Sequence, residues 1–183
     1  MSRFFIALLP PQEIQEYAND IKHYFADKYA CDSAKKSPPH ITLQPPFEWS
    51  DTSVSSLEKS LQTFAVQQQS VPITFNGFAA FPPRVIYIDV VTSQALLALQ
   101  TDLIKYTETN LGIIDQVEKT RPFIPHLTVA FRDLTKQNFR IAWPEFVRRQ
   151  FYAECTATHL TLLFHDGKCW NIKSEFPFLS SVK

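Results

Sequence analysis

Two strings in the chain, Pro39-His40-Ile41-Thr42-Leu43 and Pro125-His126-Leu127-Thr128-Val129, write one pattern twice. Side chains alternate across an extended strand, so each copy presents an imidazole and a threonine hydroxyl on one face and aliphatic side chains on the other. An imidazole changes charge near neutrality, so of two that share a site one can accept a proton while its twin donates one. That division of labour suits the opening of a cyclic phosphodiester. His40 and His126 are the candidate acid and base at the attacking and departing oxygens, and the hydroxyls of Thr42 and Thr128 are candidate donors to the non-bridging oxygens. The reaction written this way calls for no metal and no cofactor. The likeness of the two motifs leaves open which histidine is acid and which is base.

The elements that must position these residues repeat as well: strand, helix, His-x-Thr strand, helix, strand. In the first half the apolar run Arg3–Leu9 predicts a buried strand stopped by Pro10-Pro11, and apolar residues three or four apart over Gln12–Tyr29 predict an amphipathic helix. Prolines on both sides keep the first motif strand short. Asp51-Thr52-Ser53 is placed to cap a helix over Val54–Gln68. Val71–Phe81 and Val85–Val91 read as strands joined through Pro82-Pro83-Arg84, with Gly77 marking a bulge or a close approach. Ser93 then caps, and Gly112 ends, a helix over Gln94–Leu111. Ile113–Ile124 reads as loop, and the second motif strand runs Pro125–Phe131. A short helix is expected near Lys136–Ile141, interrupted at Trp143-Pro144, and a hairpin of Ala153–His165 and Lys168–Phe178 turns at Asp166-Gly167. The repeat predicts one bilobal domain over residues 1–183, with halves of about 1–83 and 84–183 and the motif strands near the pseudo-twofold axis.

Composition narrows the partners. A chain of 183 residues that is 45% hydrophobic and 14% aromatic can bury a real core. Lys plus Arg and Asp plus Glu are each 18, so no global basic field drives binding to duplex DNA, and any nucleic-acid contact must come from a local groove. Cys31, Cys155 and Cys169 are odd in number and lack paired metal spacing, which suits a reducing compartment. The apolar run near the N-terminus is too short for a signal peptide or a membrane span and is broken by proline. A cytoplasmic, monomeric protein without a membrane partner is the expectation.

A third string, His159-Leu160-Thr161-Leu162, lacks the preceding proline and falls inside the closing hairpin, outside the repeat. Its aliphatic residues make a good buried face, so a structural role is expected. His165, beside the turn, is expected in solvent, and His23 on a helix surface. A zinc site built from His40, His126 and His159 has no close-spaced second ligand and leaves the threonines without work.

The paired His-x-Thr motifs, the strand running into Pro10, the Phe81-Pro82-Pro83-Arg84-Val85-Ile86-Tyr87 stretch and the closing hairpin together resemble the 2H phosphoesterase superfamily. They are most similar to its branch of RNA 2′,3′-cyclic phosphodiesterases and 2′-5′ RNA ligase-like proteins. The resemblance implies an α+β fold: two antiparallel sheets flank a central cleft, with helices packed outside. It implies His40 and His126 as the catalytic pair and Thr42 and Thr128 as phosphate ligands. Arg132, at an even offset from His126, is the candidate for an arginine that members carry after the second motif. Tyr87 stands where members have a tryptophan, and with Phe47 and Phe81 it is a candidate for stacking on a base. The implied activity is metal-independent hydrolysis of a cyclic (2′,3′ or 1″,2″) or 2′-5′ phosphodiester on a nucleotide or RNA end. The alternatives are a nucleotide or RNA-end binding protein with little turnover, and 2′-5′ ligation as the reverse reaction.

Overall fold

The prolines, caps and apolar periods place twelve regular elements among the residues described by the computed structural model, 1–114 and 122–179. In chain order these are β1 (Ser2–Leu8), α1 (Gln12–Tyr29), β2 (Ile41–Trp49), α2 (Val54–Ala65), β3 (Val71–Phe81), β4 (Val85–Val90), α3 (Gln94–Leu111), β5 (His126–Ala130), α4 (Lys136–Phe146), β6 (Tyr152–Ala157), β7 (His159–His165) and β8 (Trp170–Pro177). Part of the segment read as loop, Ile113–Ile124, lies outside the described residues.

Two four-stranded sheets form, ordered β2-β1-β7-β8 and β5-β4-β3-β6, and every strand pair within them is antiparallel. The α+β architecture with two antiparallel sheets is the one expected. The motif strands β2 and β5 are the edge strands of their sheets and lie against one another. Helix α2 packs on the first sheet, α3 on β2 of the first and β3 of the second, and α1 on β5 of the second, with Phe25 of α1 and Phe78 of β3 meeting Phe146 of α4. One apolar cluster runs through these contacts and includes the undersides of both motifs, Ile41, Leu43, Leu127 and Val129. A smaller cluster, Phe5, Ala7 and Leu163, covers the other face of the first sheet.

The repeat and the sheets do not divide the chain in the same place. A cut between residues 83 and 84 falls between β3 and β4, which are hydrogen-bonded neighbours in the second sheet. The expected closing hairpin also splits. Strand β6 pairs with β3, and after Thr158 the chain enters β7, which pairs with β1 and β8. The hairpin that remains turns through Asp166–Cys169, where Asp166 accepts from the amides of Lys168 at 2.8 Å and Cys169 at 2.7 Å.

Local signals hold where a side chain has one job. The Ser93 hydroxyl accepts from the Leu96 amide at 3.2 Å, Gly112 ends α3 at φ +67°, and Gly77 at φ +71° sits in a register shift between β3 and β4. The signal fails at Asp51-Thr52-Ser53, a separate 3-10 turn without a side-chain cap for α2. It fails again at Pro144, through which α4 continues to Phe146. Proline removes one backbone bond there, but burial of Phe139, Ala142 and Phe146 and the Thr135 cap on the Asn138 amide hold the helix.

Candidate active site

Each catalytic candidate is fixed by its own proline turn. The Nδ1 of His40 lies 2.7 Å from the carbonyl of Pro38, and the Nδ1 of His126 lies 2.7 Å from the carbonyl of Ile124. A carbonyl only accepts, so in both rings Nδ1 carries the hydrogen and Nε2 presents its lone pair. The same side chain, bonded to the carbonyl two residues back across a proline, thus occurs once on each edge strand.

The four motif side chains converge. His40, Thr42, His126 and Thr128 line one cavity of about 270 Å³, walled by Phe81, Val85 and Phe131. Burial pushes His40 down to about 4, with the charge of Lys22 and the second imidazole acting in the same direction and the Pro38 bond opposing them. Burial also lowers His126, opposed by its bond to Ile124. Burial thus favours the neutral form of both imidazoles, His40 the more strongly.

Lys22 is a residue that sequence reasoning missed. It is 1% exposed on the inner face of α1, and its ammonium donates to the carbonyl of Ser37 at 2.9 Å. Burial lowers it to about 8. The available signal was its place four residues after Ala18, on the buried stripe of the helix.

Arg132 reaches the cleft by a route other than strand alternation. Strand β5 ends at Ala130, and Arg132 sits at φ +61° in the middle of a tight turn closed by the Asp133 amide on the Phe131 carbonyl at 2.9 Å. Asp133 ties that turn to the segment after α1, accepting from the amides of Asp32 at 2.9 Å and Ser33 at 3.0 Å and from the Cys31 thiol at 3.1 Å. Burial and the neighbouring carboxylate push Cys31 up to about 12, so it serves as a donor and not a nucleophile. Arg132 then lines a second cavity of about 190 Å³ that shares Ser37, His40, Thr42 and Phe131 with the first.

The aromatic candidates separate. Phe81 stands edge-on to His126 at 5.1 Å and is part of the cavity wall. Tyr87, opposite Thr128 in the ladder, is 5% exposed, with its ring 4.6 Å from Phe81 and 5.1 Å from His126, so it backs these rings and offers no open stacking face. Phe47 lies opposite Phe4, packs on the core side of the first sheet and takes no part in either cavity. The rings sequence reasoning missed are Phe5, 4.7 Å from His40, and Trp170, 4.7 Å from Phe5.

The third string does not join the site. His159 is exposed and bonded to Thr158 at 2.8 Å, and Thr161 is buried beside Ala7; neither lines either cavity. His165, expected in solvent, is half-buried against Trp170 at 4.8 Å and lines the second cavity.

Two facing antiparallel sheets that each supply a His-x-Thr edge strand to one cleft define the architecture of a two-histidine phosphoesterase. The family model of the 2′-5′ RNA ligase superfamily matches residues 10–168, and the chain belongs to that family. A protein of Geobacillus sp. (strain WCH70), provisionally named a phosphoesterase, is 28% identical over 178 residues, with 95% of each chain covered. Among solved structures, TT0787 of Thermus thermophilus superposes with a TM-score of 0.70 at 20% identity, covering 96% of this chain and 97% of that one. E. coli LigT complexed with 3′-AMP gives 0.67 at 18% identity, covering 98% and 99%.

Proposed function

We propose that the chain is a metal-independent phosphodiesterase that opens a cyclic 2′,3′ or 1″,2″ phosphodiester, or cleaves a 2′-5′ linkage, on a nucleotide or RNA end. The observation that carries this reading is the matched pair of imidazoles, each locked through Nδ1 at 2.7 Å so that Nε2 carries the lone pair, each with a threonine two residues on, in one cavity. E. coli LigT, which shares the fold, is known in complexes with 3′-AMP, ATP and NADP+, and this supports a nucleotide as the class of ligand.

The substrate phosphate binds against the Thr42 and Thr128 hydroxyls and the Arg132 guanidinium, and its negative charge raises the proton affinity of the imidazoles. The Lys22 charge opposes a proton on His40, so the one taken up resides on His126. His40 then removes a proton from water as the new P–O bond forms, and His126 delivers its proton to the departing ribose oxygen. Each Nδ1–H bond to a carbonyl stabilises the imidazolium that forms on its ring. Ligation of 2′-5′ ends is the same in-line step with a ribose 5′-hydroxyl attacking the cyclic phosphate in place of water, His40 taking the hydroxyl proton and His126 protonating the departing 3′ oxygen.

The test is hydrolysis of nucleoside 2′,3′-cyclic phosphates, ADP-ribose 1″,2″-cyclic phosphate and 2′-5′ oligoadenylate with EDTA present. Turnover of at least one is expected. Loss of turnover on adding EDTA overturns the metal-free mechanism, and tight binding without turnover favours a binding protein.

A further inference from the structure

The second sheet ends in β6, which pairs with β3 on one side and, among the described residues, with no strand on the other. The Gly77 amide donates to the Phe151 carbonyl at 2.7 Å, so alternation turns the backbone of Ala153, Cys155 and Ala157 toward β3 and that of Tyr152, Glu154 and Thr156 away from it. Pro72, with no N–H to offer, stands opposite Thr156 and agrees with that phase. Donors and acceptors are thus held out along an open edge, the arrangement that templates a further strand. The chain leading into β6 lines a cavity of about 540 Å³ that shares no residue with the two cavities of the cleft, and none of the described residues in its wall is acidic. Its charge comes from Arg148 and Arg149, and neither has an ion-pair partner among the described residues. The Arg149 guanidinium lies over the Tyr17 ring at 5.9 Å and the Phe146 ring at 5.5 Å, and Tyr17 stacks on Phe151 at 4.2 Å. Beside them Tyr152, 65% exposed, is the one aromatic side chain among the described residues that stands mostly in solvent. Its hydroxyl donates to Glu154, the acid of this edge, at 2.5 Å.

We propose that β6 and the two arginines before it form a docking site for an extended acidic peptide of a protein partner, which joins the four-stranded second sheet as one more strand. Every strand pair in the two sheets is antiparallel, and an added strand of that sense runs toward Arg148 and Arg149, so its carboxylates belong at its C-terminal end. Its side chains on the core side continue the row of Ala153 and Cys155, which are half-buried against the core, and are apolar. An RNA strand would use the arginines and leave the edge donors and acceptors unread. A second copy of this chain fits less well. Its β6, laid antiparallel on this one, sets Glu154 against Glu154 or Thr156, and residues 157–162, which then approach the arginines, include no acid. The site is independent of the reaction proposed for the cleft. In the order β5-β4-β3-β6 it lies three strands, about 14 Å at ordinary spacing, from the strand of His126, so an occupant leaves the catalytic cavity open.

The test titrates the full chain by calorimetry with a synthetic peptide of alternating valine and threonine that ends in consecutive aspartates, and with the same peptide ending in lysines. The acidic peptide should bind in the micromolar range at low salt, and Arg148→Ala and Arg149→Ala should each weaken it about tenfold. Binding should slow hydrogen exchange at the amides of Tyr152, Glu154 and Thr156. Glu154→Pro removes an N–H that points away from β3, so it should keep the native circular dichroism while abolishing binding, and Glu154→Ala should keep binding. Equal affinity for the two peptides, no binding of the acidic one at millimolar concentration, or unchanged binding in Glu154→Pro overturns the proposal. A single-stranded oligonucleotide that binds through Arg148 and Arg149 where the peptide does not overturns it in favour of RNA. A dimer in sedimentation that Glu154→Pro dissolves, in place of peptide binding, overturns it in favour of a second copy.

Discussion

The Lys22 ammonium donates to the carbonyl of Ser37 at 2.9 Å, directly ahead of the two prolines that hold His40. The bond braces the turn whose Pro38 carbonyl fixes the imidazole, and it brings a buried positive charge near the ring. Lowering Lys22 from 10.5 to about 8 corresponds to a destabilisation on the order of 3 kcal/mol at neutral pH, against roughly 1.5–3 kcal/mol gained from a hydrogen bond with a charged donor. Lys22→Met is therefore expected to hold or raise Tm while lowering kcat/KM and moving its pH profile to higher pH. Wild-type stability should also rise with pH between about 8 and 10.5, where the unfolded chain still binds the proton that folded Lys22 has lost, and the variant should lack that rise. A variant with lower Tm and an unmoved profile would show that Lys22 only packs.

His40→Ala and His126→Ala should each lower kcat on the order of 10²- to 10⁴-fold, the usual contribution of a positioned acid or base. His159→Ala should keep most activity, because the ring lies outside both cavities. Comparable losses at all three positions in a steady-state assay would mean that the wrong pair has been chosen.

The pH dependence follows from burial. Both histidines are lowered, His40 to about 4, so kcat/KM should be bell-shaped with its optimum below pH 6.5. The acid limb marks protonation of the base and the alkaline limb loss of the acid. In the substrate complex the phosphate charge favours imidazolium, so the optimum of kcat should lie at higher pH than that of kcat/KM. Coincident optima, or a profile flat from about pH 5 to 9, would remove the acid–base assignment.

Arg132 combines a functional side chain with an unfavourable backbone. At φ +61° a residue with a Cβ is strained by roughly 1–2 kcal/mol, and glycine is not. Arg132→Gly should therefore be more stable than Arg132→Ala in chemical denaturation, while both lose the guanidinium and raise KM alike. Equal stabilities would mean that the turn carries no strain.

Asp133 should hold the Arg132 turn to the segment that follows α1. Burial alone would raise its carboxyl, but the bonds from Cys31, Ser33 and Asp32 outweigh it and hold the group low. Asp133→Ala should lower Tm and raise KM through the displaced Arg132. The contribution of Asp133 to wild-type stability is present above its ordinary carboxyl range and disappears as pH falls through the lowered value. Thermal melts of both proteins across that acid range decide it, and parallel Tm curves would refute the clamp.

Legibility in the sequence followed the range of the interaction. The two motif strands, the helices α1 and α3 and the Ser93 and Gly112 ends are set within a few residues, and periodicity and capping reveal them. Partnership between distant segments left no such trace. Nothing in the hairpin-like run from Ala153 to Phe178 says that β6 and β7 belong to different sheets, because alternation fixes faces and not neighbours. Arg132 was found through an assumption of regular strand, yet it arrives at the cleft by a positive-φ turn that the Asp133 carboxylate ties to the segment after α1. Trp170 and Lys36 lie outside both motifs in sequence and join the cavity beside His40 only after folding.

Strand β1 is an inner strand flanked by β2 and β7, while all four strands of the second sheet lie between residues 71 and 157. During synthesis that second sheet can close while β1 still has one unpaired edge, which stays open until residues 159–165 leave the ribosome. The sheet beside His40, begun first, is thus finished last. A ribosome stalled shortly after the exit of Thr158 would display a completed His126 sheet beside an aggregation-prone edge of aliphatic and aromatic residues, the state in which a nascent chain most needs a chaperone.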